Sequence, residues 1–226
     1  MPLFSYLQMQ PILIYCYDAY CGWCYGFSPV LKKVTAQFSE YFSIEVLSGG
    51  MVLPEQPTPI AATAAYIQQA YRTVETTTGI QFGKDYLWHI FHPELSDWFP
   101  HSEKPAIALC IFKEYFPEQQ LAFAGDLQYA LHFEGRDLTD DEAYRHLLHK
   151  YHLPVNNFYE KLHSEAYKEK AYYEFALCKQ LQVTGFPAVL LQASDAKFYL
   201  LAKGYTDKAT LTTRFQNVLK ELNIMA

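Results

Sequence analysis

The spacing of hydrophobic positions changes twice along the chain. Near the N-terminus, a short apolar, β-prone run at 11–16 and an alternating run at 43–48 predict two strands. Between them, residues 22–39 repeat apolar side chains at helical spacing, which predicts an amphipathic helix. Pro29 removes one hydrogen bond of that helix, so we expect a kink near Phe27. The chain therefore opens with a β-α-β pattern.

A helical pattern continues through the middle of the chain, and a β-type pattern returns near its end. The helix candidates lie at 58–75, 83–92, 101–116, 118–133, from Thr139 to near His152, and at 156–180, which is either one long helix or two. The later elements are strands at 185–192 and 198–205, a hairpin turn at Ser194-Asp195-Ala196-Lys197, and an amphipathic helix at 207–222.

This order of elements predicts the domain organisation. A β-α-β unit, a helical block and a β-β-α unit follow one another, and no fixed-period repeat or low-complexity linker separates them. We therefore expect an α/β domain formed by residues 1–55 and 183–226. Residues 56–182 are expected to form a helical insertion domain within it.

Composition excludes several classes of protein. Half of the 226 residues are apolar, 17% are aromatic and the net charge is −6, so a packed core is expected and disorder is not. Scattered Lys and Arg form no basic stripe, which argues against nucleic acid as a partner. No apolar run reaches the ~18 residues of a membrane helix. The N-terminal apolar residues lack the preceding basic residues of a secretory signal, so we expect a cytoplasmic protein that begins at Met1.

Three of the five cysteines fall within "IYCYDAYCGWCYGFSP". Cys21 and Cys24 lie between a predicted strand and a predicted helix. The free N–H groups and the dipole at a helix start stabilise a thiolate, so the pKa of Cys21 is expected below the ~8.5 of a free cysteine. Cys24, one turn later, is close enough to attack a mixed disulfide on Cys21. This division of roles is that of thiol–disulfide exchange.

Metal binding is the rival interpretation of the cysteines. Cys16, Cys21 and Cys24 match the C-x4-C-x2-C spacing of plant-type iron–sulfur proteins, but a cluster needs a fourth thiolate. The remaining cysteines, Cys110 and Cys178, lie in predicted helices far along the chain. Structural zinc usually needs two cysteine pairs, and only one C-x-x-C is present. We therefore expect no metal, and interpret Cys16, Cys110 and Cys178 as core thiols.

Two segments together resemble the DsbA-like branch of the thioredoxin-fold superfamily. They are "YDAYCGWCYGFSP" and the late "TGFP", and the first is similar to the opening of cytoplasmic FrnE-like oxidoreductases and predicted protein-disulfide isomerases. The resemblance implies a thioredoxin fold with a large α-helical insertion. It also implies that Pro187, preceded by Phe186, is a cis-proline that faces the active-site cysteines. Because proline has no N–H, the backbone before it is free to pair with an extended substrate.

The residues around the cysteines are candidates for binding substrate. Gly22 and Trp23 replace the Pro-His pair of strongly oxidising periplasmic relatives, so the resemblance implies a milder oxidant. The substrate-binding candidates are Gly22, Trp23, Phe186 and Pro187. An apolar rim is expected from Tyr20, Trp23, Tyr25, Phe27 and Phe186, although Phe27 lies on the apolar helix face and is expected in the core.

Three polar residues have alternative interpretations. Asp18, three residues before Cys21, either shuttles a proton to Cys24 or caps the turn before the helix. His101 and Ser102 open an insertion helix, where glutathione-using relatives place polar groups near a tripeptide thiol. For Ser102, the interpretation we favour is a helix N-cap.

These observations predict a thiol–disulfide oxidoreductase or isomerase that acts through a mixed disulfide on Cys21, resolved by Cys24. Its expected partners are protein or small-molecule thiols and disulfides, not nucleic acid or membrane, and no cofactor is expected apart from glutathione as a co-substrate. One alternative is a glutathione-dependent transferase or isomerase related to kappa-class transferases and hydroxychromene-carboxylate isomerases. The other is a chaperone-like binding module. The direction of electron flow, the natural substrate and the oligomeric state are open.

Overall fold

One mixed four-stranded sheet forms the centre of the computed structural model, which describes residues 10–225. Its strands are β1 (Ile12–Tyr17), β2 (Ser43–Ser48), β3 (Ala188–Ser194) and β4 (Lys197–Lys203). The strand order is β2-β1-β3-β4. β1 is parallel to β2 and antiparallel to β3, and β3 is antiparallel to β4. The thioredoxin fold predicted from the sequence is confirmed.

The helices enclose this sheet and form the insertion. They are α1 (Gly22–Gln37), α2 (Ala61–Thr78), α3 (Lys84–Phe91), α4 (Glu103–Tyr115), α5 (Gln120–His132), α6 (Glu142–Lys150), α7 (Val155–Leu162), α8 (Glu165–Gln180) and α9 (Lys208–Glu221), with a 3-10 turn at Pro117–Gln119. Helices α2 to α8 fall within the predicted insertion at 56–182. None of the helices described over residues 10–225 is long and apolar enough to cross a membrane. The expected start at Met1 lies outside the described residues.

The bounds of most elements differ from the prediction by a few residues. The segment at 156–180, for which one long helix or two were expected, forms two helices, α7 and α8, because the chain is extended at Ser164, where ψ is 140°. The predicted strand at 185–192 starts later, at Ala188, because the preceding Gly-Phe-Pro segment contains a cis peptide bond and forms the entry to the strand.

Alternation along β1 divides the core between the two faces of the sheet. Successive strand side chains point to opposite faces. Tyr15 and Tyr17 therefore join the larger core cluster, which also contains residues of α1, α9 and the insertion helices. Ile14 and Cys16 point the other way, into a smaller cluster that includes Cys178 of α8. The two faces of one central strand thus carry separate packing.

A group of charges, buried at Glu174 and partly exposed at Glu45, connects the insertion to β2. Lys113 of α4 makes ion pairs with Glu174 of α8 at 2.7 Å and with Glu45 of β2 at 2.6 Å, and it also donates to the Val46 carbonyl. The other Glu174 oxygen accepts the Ser48 N–H at 2.8 Å. Glu174 is only 7% exposed, so the insertion supplies hydrogen bonds that part of β2 needs inside the protein.

Within the described chain, β4 is an edge of the sheet. Phe198 and Leu200 of this strand are 38% and 58% exposed. Lys197 and Lys203 stand at its two ends. β4 therefore combines an open backbone edge, apart from the Leu201 carbonyl that accepts from Arg214 at 2.8 Å, with exposed apolar side chains, and a lysine stands at each end of the strand.

Candidate active site

The two cysteines of the C-x-x-C segment lie at the start of α1, where the sequence placed them. Cys21 is the N-cap residue, and its sulfur accepts a hydrogen bond from the Cys24 N–H at 3.2 Å. Both are free thiols. Cys21 is 5% exposed, whereas Cys24 is fully buried. The Cys21 sulfur thus lies at the first residue before the helix and is nearly buried, and the Cys24 sulfur is fully enclosed one turn further along.

The loop before β3 meets Cys21 from the other half of the fold. The Phe186–Pro187 peptide bond is cis, as expected. The Cys21 thiol donates to the Phe186 carbonyl over 3.6 Å. Pro187 is held in turn by the Gly204 N–H, which donates to its carbonyl at 2.7 Å. Residues separated by 165 positions therefore meet at one sulfur atom.

The aromatic ring of Phe186 covers a glycine at the end of β2. A Cβ built on Gly49 would lie 2.0 Å from the Phe186 Cζ atom, so any side chain there would displace the ring. Gly49 is also fixed by its N–H, which donates to the Tyr17 carbonyl at 2.7 Å. Glycine at this position lets the loop of Phe186 approach the β1–β2 end of the sheet.

The Gly22-Trp23 pair lies beside both halves of the site. Trp23 is half-buried, and its ring centroid is 6.2 Å from that of Tyr205. A Cβ on Gly22 would lie 3.3 Å from the Phe82 ring of the insertion, so little room remains there for a larger residue. Trp23 therefore presents only part of its ring at the surface.

The predicted aromatic rim is smaller than expected. Phe27 is buried, as expected, but Tyr25 is buried as well, and its inclusion in the rim was wrong. Tyr25 faces the insertion, where its hydroxyl donates to the Gln81 carbonyl at 3.1 Å. The half-buried members of the predicted rim are Tyr20, Trp23 and Phe186.

Asp18 is buried in the turn that leads from β1 to α1. Its carboxylate accepts hydrogen bonds from the Tyr20 N–H at 3.0 Å, the Met51 N–H at 2.7 Å and the Ser102 hydroxyl at 3.0 Å. The bond to Tyr20 is the local turn cap that the sequence offered as one alternative. The bonds to Met51 and Ser102 reach across to the β2–α2 loop and to the insertion.

The prediction that Ser102 is a helix N-cap was wrong. Ser102 precedes α4 but has helical backbone angles and makes no capping bond with its side chain. The Glu103 N–H is instead satisfied by the His101 imidazole Nδ1 at 3.2 Å. The Ser102 oxygen accepts the Val52 N–H at 3.0 Å while its proton goes to Asp18. The hydroxyl is therefore hydrogen-bonded to the active-site turn and the β2–α2 loop and not to its own helix.

Two further residues next to this turn, both on α5, were not predicted from the sequence. Gln128 is fully buried and donates to the Asp18 carbonyl at 3.4 Å. His132, 1% exposed, stacks on Tyr25 with ring centroids 5.1 Å apart. Both are polar residues one helical turn apart on a helix that is otherwise largely apolar. That spacing was the only signal, and it gave no indication of what the residues would contact.

Burial sets the protonation of the acidic groups behind the site. It raises the pKa of the Cys24 thiol well above its usual value, and the neighbouring Cys21 sulfur raises it further. Burial also raises the pKa of Asp18, although the hydrogen bonds from Met51, Tyr20 and Ser102 partly oppose this. Cys24 therefore holds its proton firmly, and a nearby carboxyl group also titrates above its ordinary range.

The other cysteines lie away from this pair. Cys16 points to the opposite face of the sheet. Cys110 donates to a Glu174 oxygen at 3.4 Å, and Cys178 donates to the Ser48 carbonyl at 3.5 Å. All three are buried, which confirms them as core thiols. Over residues 10–225, no group of three His, Cys, Asp or Glu side chains is arranged to hold a metal ion.

Solved structures share this fold over nearly the whole chain. A candidate protein disulfide isomerase from Nitrosomonas europaea superposes with a TM-score of 0.77 at 22% identity, covering 94% of this chain and 98% of that one. The cytosolic disulfide reductase DsbM from Pseudomonas aeruginosa gives a TM-score of 0.71 at 24% identity, covering 94% and 99%. At these identities, the likeness shows the fold alone.

Sequence comparison gives one curated relative and a family. The ClpXP adapter protein SpxH from Halalkalibacterium halodurans is 22% identical over 185 residues, which is 80% of this chain. The match covers 58% of SpxH, so the chain spans little more than half the length of that relative. The model of the DSBA-like thioredoxin domain matches residues 12–215. The chain therefore belongs to the DSBA-like thioredoxin domain family.

Proposed function

We propose that this protein is a thiol–disulfide oxidoreductase or isomerase that works through Cys21 and Cys24. One observation carries the proposal: Cys21 caps the start of α1 beside the cis Phe186–Pro187 bond, while Cys24 is sealed behind it. Helix N–H groups stabilise negative charge on the outer sulfur. The proposed order of attack follows, because Cys24 is fully buried while Cys21 keeps a small exposed fraction at the start of the helix.

The reaction proceeds in two exchanges that balance. The Cys21 thiolate attacks one sulfur of a substrate disulfide, which forms a mixed disulfide and releases the other substrate sulfur as a thiolate that takes up a proton. Cys24 then loses its proton and attacks the Cys21 sulfur, which releases the second substrate thiol. The substrate gains two electrons, and the protein is left with a Cys21–Cys24 disulfide. The reverse sequence oxidises a dithiol.

Asp18 is the proposed proton acceptor for Cys24. Its backbone N–H favours the Cys24 thiolate, whereas the negative charge of its carboxylate raises the pKa of Cys24. Proton transfer from the thiol to the carboxylate removes that repulsion at the moment when the thiolate is needed. The raised pKa of Asp18, caused by its burial, makes it a better acceptor than an exposed aspartate.

The proposed substrates are protein or small-molecule disulfides and thiols, with glutathione as a co-substrate and no other cofactor. Gly22, Trp23, Phe186 and Pro187 are the proposed contact surface, which is supported by the contact of the Phe186 carbonyl with the Cys21 sulfur. The proposed location is the cytoplasm, which is consistent with a likeness to a protein described as a cytosolic disulfide reductase.

Reduction of insulin by dithiothreitol, with and without the protein, tests this function. Wild-type protein should accelerate the reaction, and Cys21→Ser should abolish the acceleration. Cys24→Ser should retain attack but accumulate a mixed disulfide, which mass spectrometry detects. Equal rates for wild type and Cys21→Ser would contradict the proposal.

The same variants separate the two alternatives. Glutathione-dependent activity that survives Cys24→Ser would favour a transferase or isomerase, because that chemistry needs one thiol at most. Prevention of aggregation that is unchanged in the double-serine variant, without insulin reduction, would favour a chaperone-like module. The reduction potential of the Cys21–Cys24 pair then determines the direction of electron flow.

A further inference from the structure

We propose that Ser102, at the start of the insertion helix α4, is a positioning residue that controls when Asp18 can accept the proton of Cys24. The inference rests on the proposed function and extends it to a residue outside the thioredoxin half of the fold. It assigns the insertion a part in the resolving step, through one hydroxyl group.

The hydroxyl sits at the centre of a small buried network. It donates to Asp18 at 3.0 Å and accepts the Val52 N–H at 3.0 Å, while the Ser102 N–H donates to the Val52 carbonyl at 2.7 Å. Ser102 is 2% exposed and Asp18 is 1% exposed, so water competes little for these bonds. The network joins the β1–α1 turn, the β2–α2 loop and α4.

Ser102 is the only one of the three donors to the Asp18 carboxylate that is a side chain. The other two are backbone N–H groups, of Tyr20 and Met51. A side-chain donor is the one that substitution can remove without changing the course of the backbone. The Ser102 hydroxyl takes no part in capping α4, and its hydrogen bonds go to the Asp18 carboxylate and to Val52 of the β2–α2 loop.

The groups that face Asp18 give no other strong source of stabilisation for its charge. The negative charge of Asp18 raises the pKa of Tyr17 in β1, Tyr20 in the turn and Cys24 in α1. None of these three groups therefore stabilises the Asp18 carboxylate. Gln128 of α5 contacts only the backbone carbonyl of Asp18. The balance between a charged and a neutral carboxyl group therefore depends on the three hydrogen bonds, together with the Gly50 backbone N–H, which also lowers the pKa of Asp18.

The direction of the effect follows from which form the hydroxyl favours. A donor favours the ionised carboxylate, so the Ser102 hydroxyl lowers the pKa of Asp18 against the raising effect of burial. Without the hydroxyl, Asp18 stays protonated to a higher pH and cannot accept the proton. Resolution by Cys24 should then lose rate on the acidic side, while attack by Cys21 should not.

Reaction with dithiobis-nitrobenzoate measures the two steps separately. Reduced protein is mixed with less than one equivalent of the reagent over a range of pH. Attack by Cys21 releases a first thionitrobenzoate, and resolution by Cys24 releases a second. In Ser102→Ala, the acidic limb of the second release should move to higher pH by about one unit, the size expected for one hydrogen bond to a charged group. The profile of the first release should match wild type.

Two further variants control for damage to the fold. Ser102→Thr keeps the hydroxyl and should restore the wild-type profile. Ser164→Ala is the matched control, because Ser164 also precedes an insertion helix, but its hydroxyl bonds only to the Lys161 carbonyl. If Ser102→Ala fails to fold, Ser102→Cys replaces it, since the weaker thiol donor should shift the limb in the same direction by less.

The outcomes separate this inference from the function on which it rests. Two-step release with superimposable profiles for wild type and the Ser102→Ala or Ser102→Cys variant would overturn the inference alone. Equal shifts of both releases would also overturn it, because they would indicate general damage to the site. A wild-type protein that releases no second equivalent would overturn the proposed function and this inference together.

Discussion

All five cysteines are buried, so exposed fraction alone does not distinguish them. Cys21 is the proposed attacking thiol at the start of α1, whereas Cys16, Cys24, Cys110 and Cys178 lie within packed parts of the sheet and helices. Burial is also the main cause of the raised pKa of Cys110, and the adjoining Cys16 thiol, together with burial, raises that of Cys178. A buried, protonated thiol reacts slowly with an alkylating agent.

We therefore expect iodoacetamide to modify the native reduced protein at Cys21 alone. Peptide mapping by mass spectrometry after a short exposure measures this. The same exposure in concentrated urea should label all five cysteines, which provides the control. Native labelling of Cys110 or Cys178 at the rate of Cys21 would contradict the packing described for α4 and α8.

His132 should make the stability of the fold sensitive to mild acid. It lies among the rings of Tyr25, Phe82 and Tyr86, with centroids 5.0 to 5.5 Å away. Burial lowers its pKa from 6.5 to about 3, opposed only in part by the Ala19 backbone. In the unfolded chain His132 therefore becomes protonated near pH 6.5, whereas in the folded protein it becomes protonated only near pH 3. The contribution to stability is complete above that window and is lost as the pH falls through it.

Urea unfolding of wild type and His132→Phe at pH 7 and pH 5.5 tests this effect. The difference in unfolding free energy between the two proteins should change by about 1 kcal/mol in favour of the variant at the lower pH. Comparing differences cancels the other titrating groups, which both proteins share. A difference that stays constant with pH would show that His132 has the same pKa in the folded and unfolded protein and would contradict the effect of burial.

At the scale of elements, the approach of the β3 entry loop to the end of β2 depends on one glycine. Gly49→Ala would place a Cβ 2.0 Å from the Phe186 ring, which must then move. We expect a loss of about 1 to 3 kcal/mol in unfolding free energy, as for other overpacked sites. Because the Phe186 carbonyl contacts Cys21, the rate of the first thionitrobenzoate release should also change.

Gly185→Ala is the matched control, because Gly185 directly precedes Phe186 in the chain. Nothing lies within 4 Å of a Cβ built there. Its stability should remain within about 0.5 kcal/mol of wild type, by chemical denaturation. Equal losses for both glycines would show that the Phe186 ring is not held against Gly49.

The elements themselves were largely predictable, whereas the contacts between them were not. Residues 43–48 alternate and form β2 with those bounds, because strand pattern is a local property. Ser102 looked like a cap from its position in the sequence, but its hydroxyl is used by Asp18, 84 positions away. His132 carried no recognisable pattern at all. Local periodicity determines an element, and tertiary packing determines what each polar side chain meets.

The candidate site shows the same division. Cys21 and Cys24 were found from two-residue spacing between a strand and a helix, and the late Gly-Phe-Pro segment pointed to Pro187 through resemblance. Tyr25 was misplaced because its neighbours in sequence say nothing of the insertion helices that bury it. Asp18 kept two interpretations, because its burial and two of its three donors, Met51 and Ser102, come from parts of the chain that only the fold brings together.

At the scale of the whole molecule, the insertion and the sheet should behave as one unit. The larger core cluster is continuous through β1, α1, α9 and the insertion helices. Thermal unfolding should therefore give coincident transitions by far-ultraviolet circular dichroism and by tryptophan fluorescence. Since Trp23 is in α1 while Trp88 and Trp98 are in the insertion, two separate transitions would show that the insertion unfolds independently.

The charge group between α4, α8 and β2 should contribute strongly to that unit. Although burial alone would lower it, the pKa of Lys113 is raised by Glu174 and Glu45. Lys113→Met would leave Glu174 buried without its partner, so we expect a loss of about 3 to 5 kcal/mol at neutral pH. A lysine whose pKa is higher in the folded than in the unfolded protein stabilises the fold at every pH below its unfolded pKa. This contribution should therefore be lost only in strongly alkaline solution. A loss of unfolding free energy below about 1 kcal/mol at neutral pH would contradict this contribution of Lys113. The control is Lys179→Met, at an exposed residue of α8.

The open side of β4 has a consequence for crowded solutions. A strand with one open edge, and with Phe198 and Leu200 exposed, is a template on which another polypeptide strand, including one from a second copy of this protein, can add. Lys203 opposes such pairing by its charge, whereas the charge of Lys197 is neutralised in part by Glu221 at 3.1 Å. Acetylation of Lys203 should therefore favour association of the protein through the rim of its sheet.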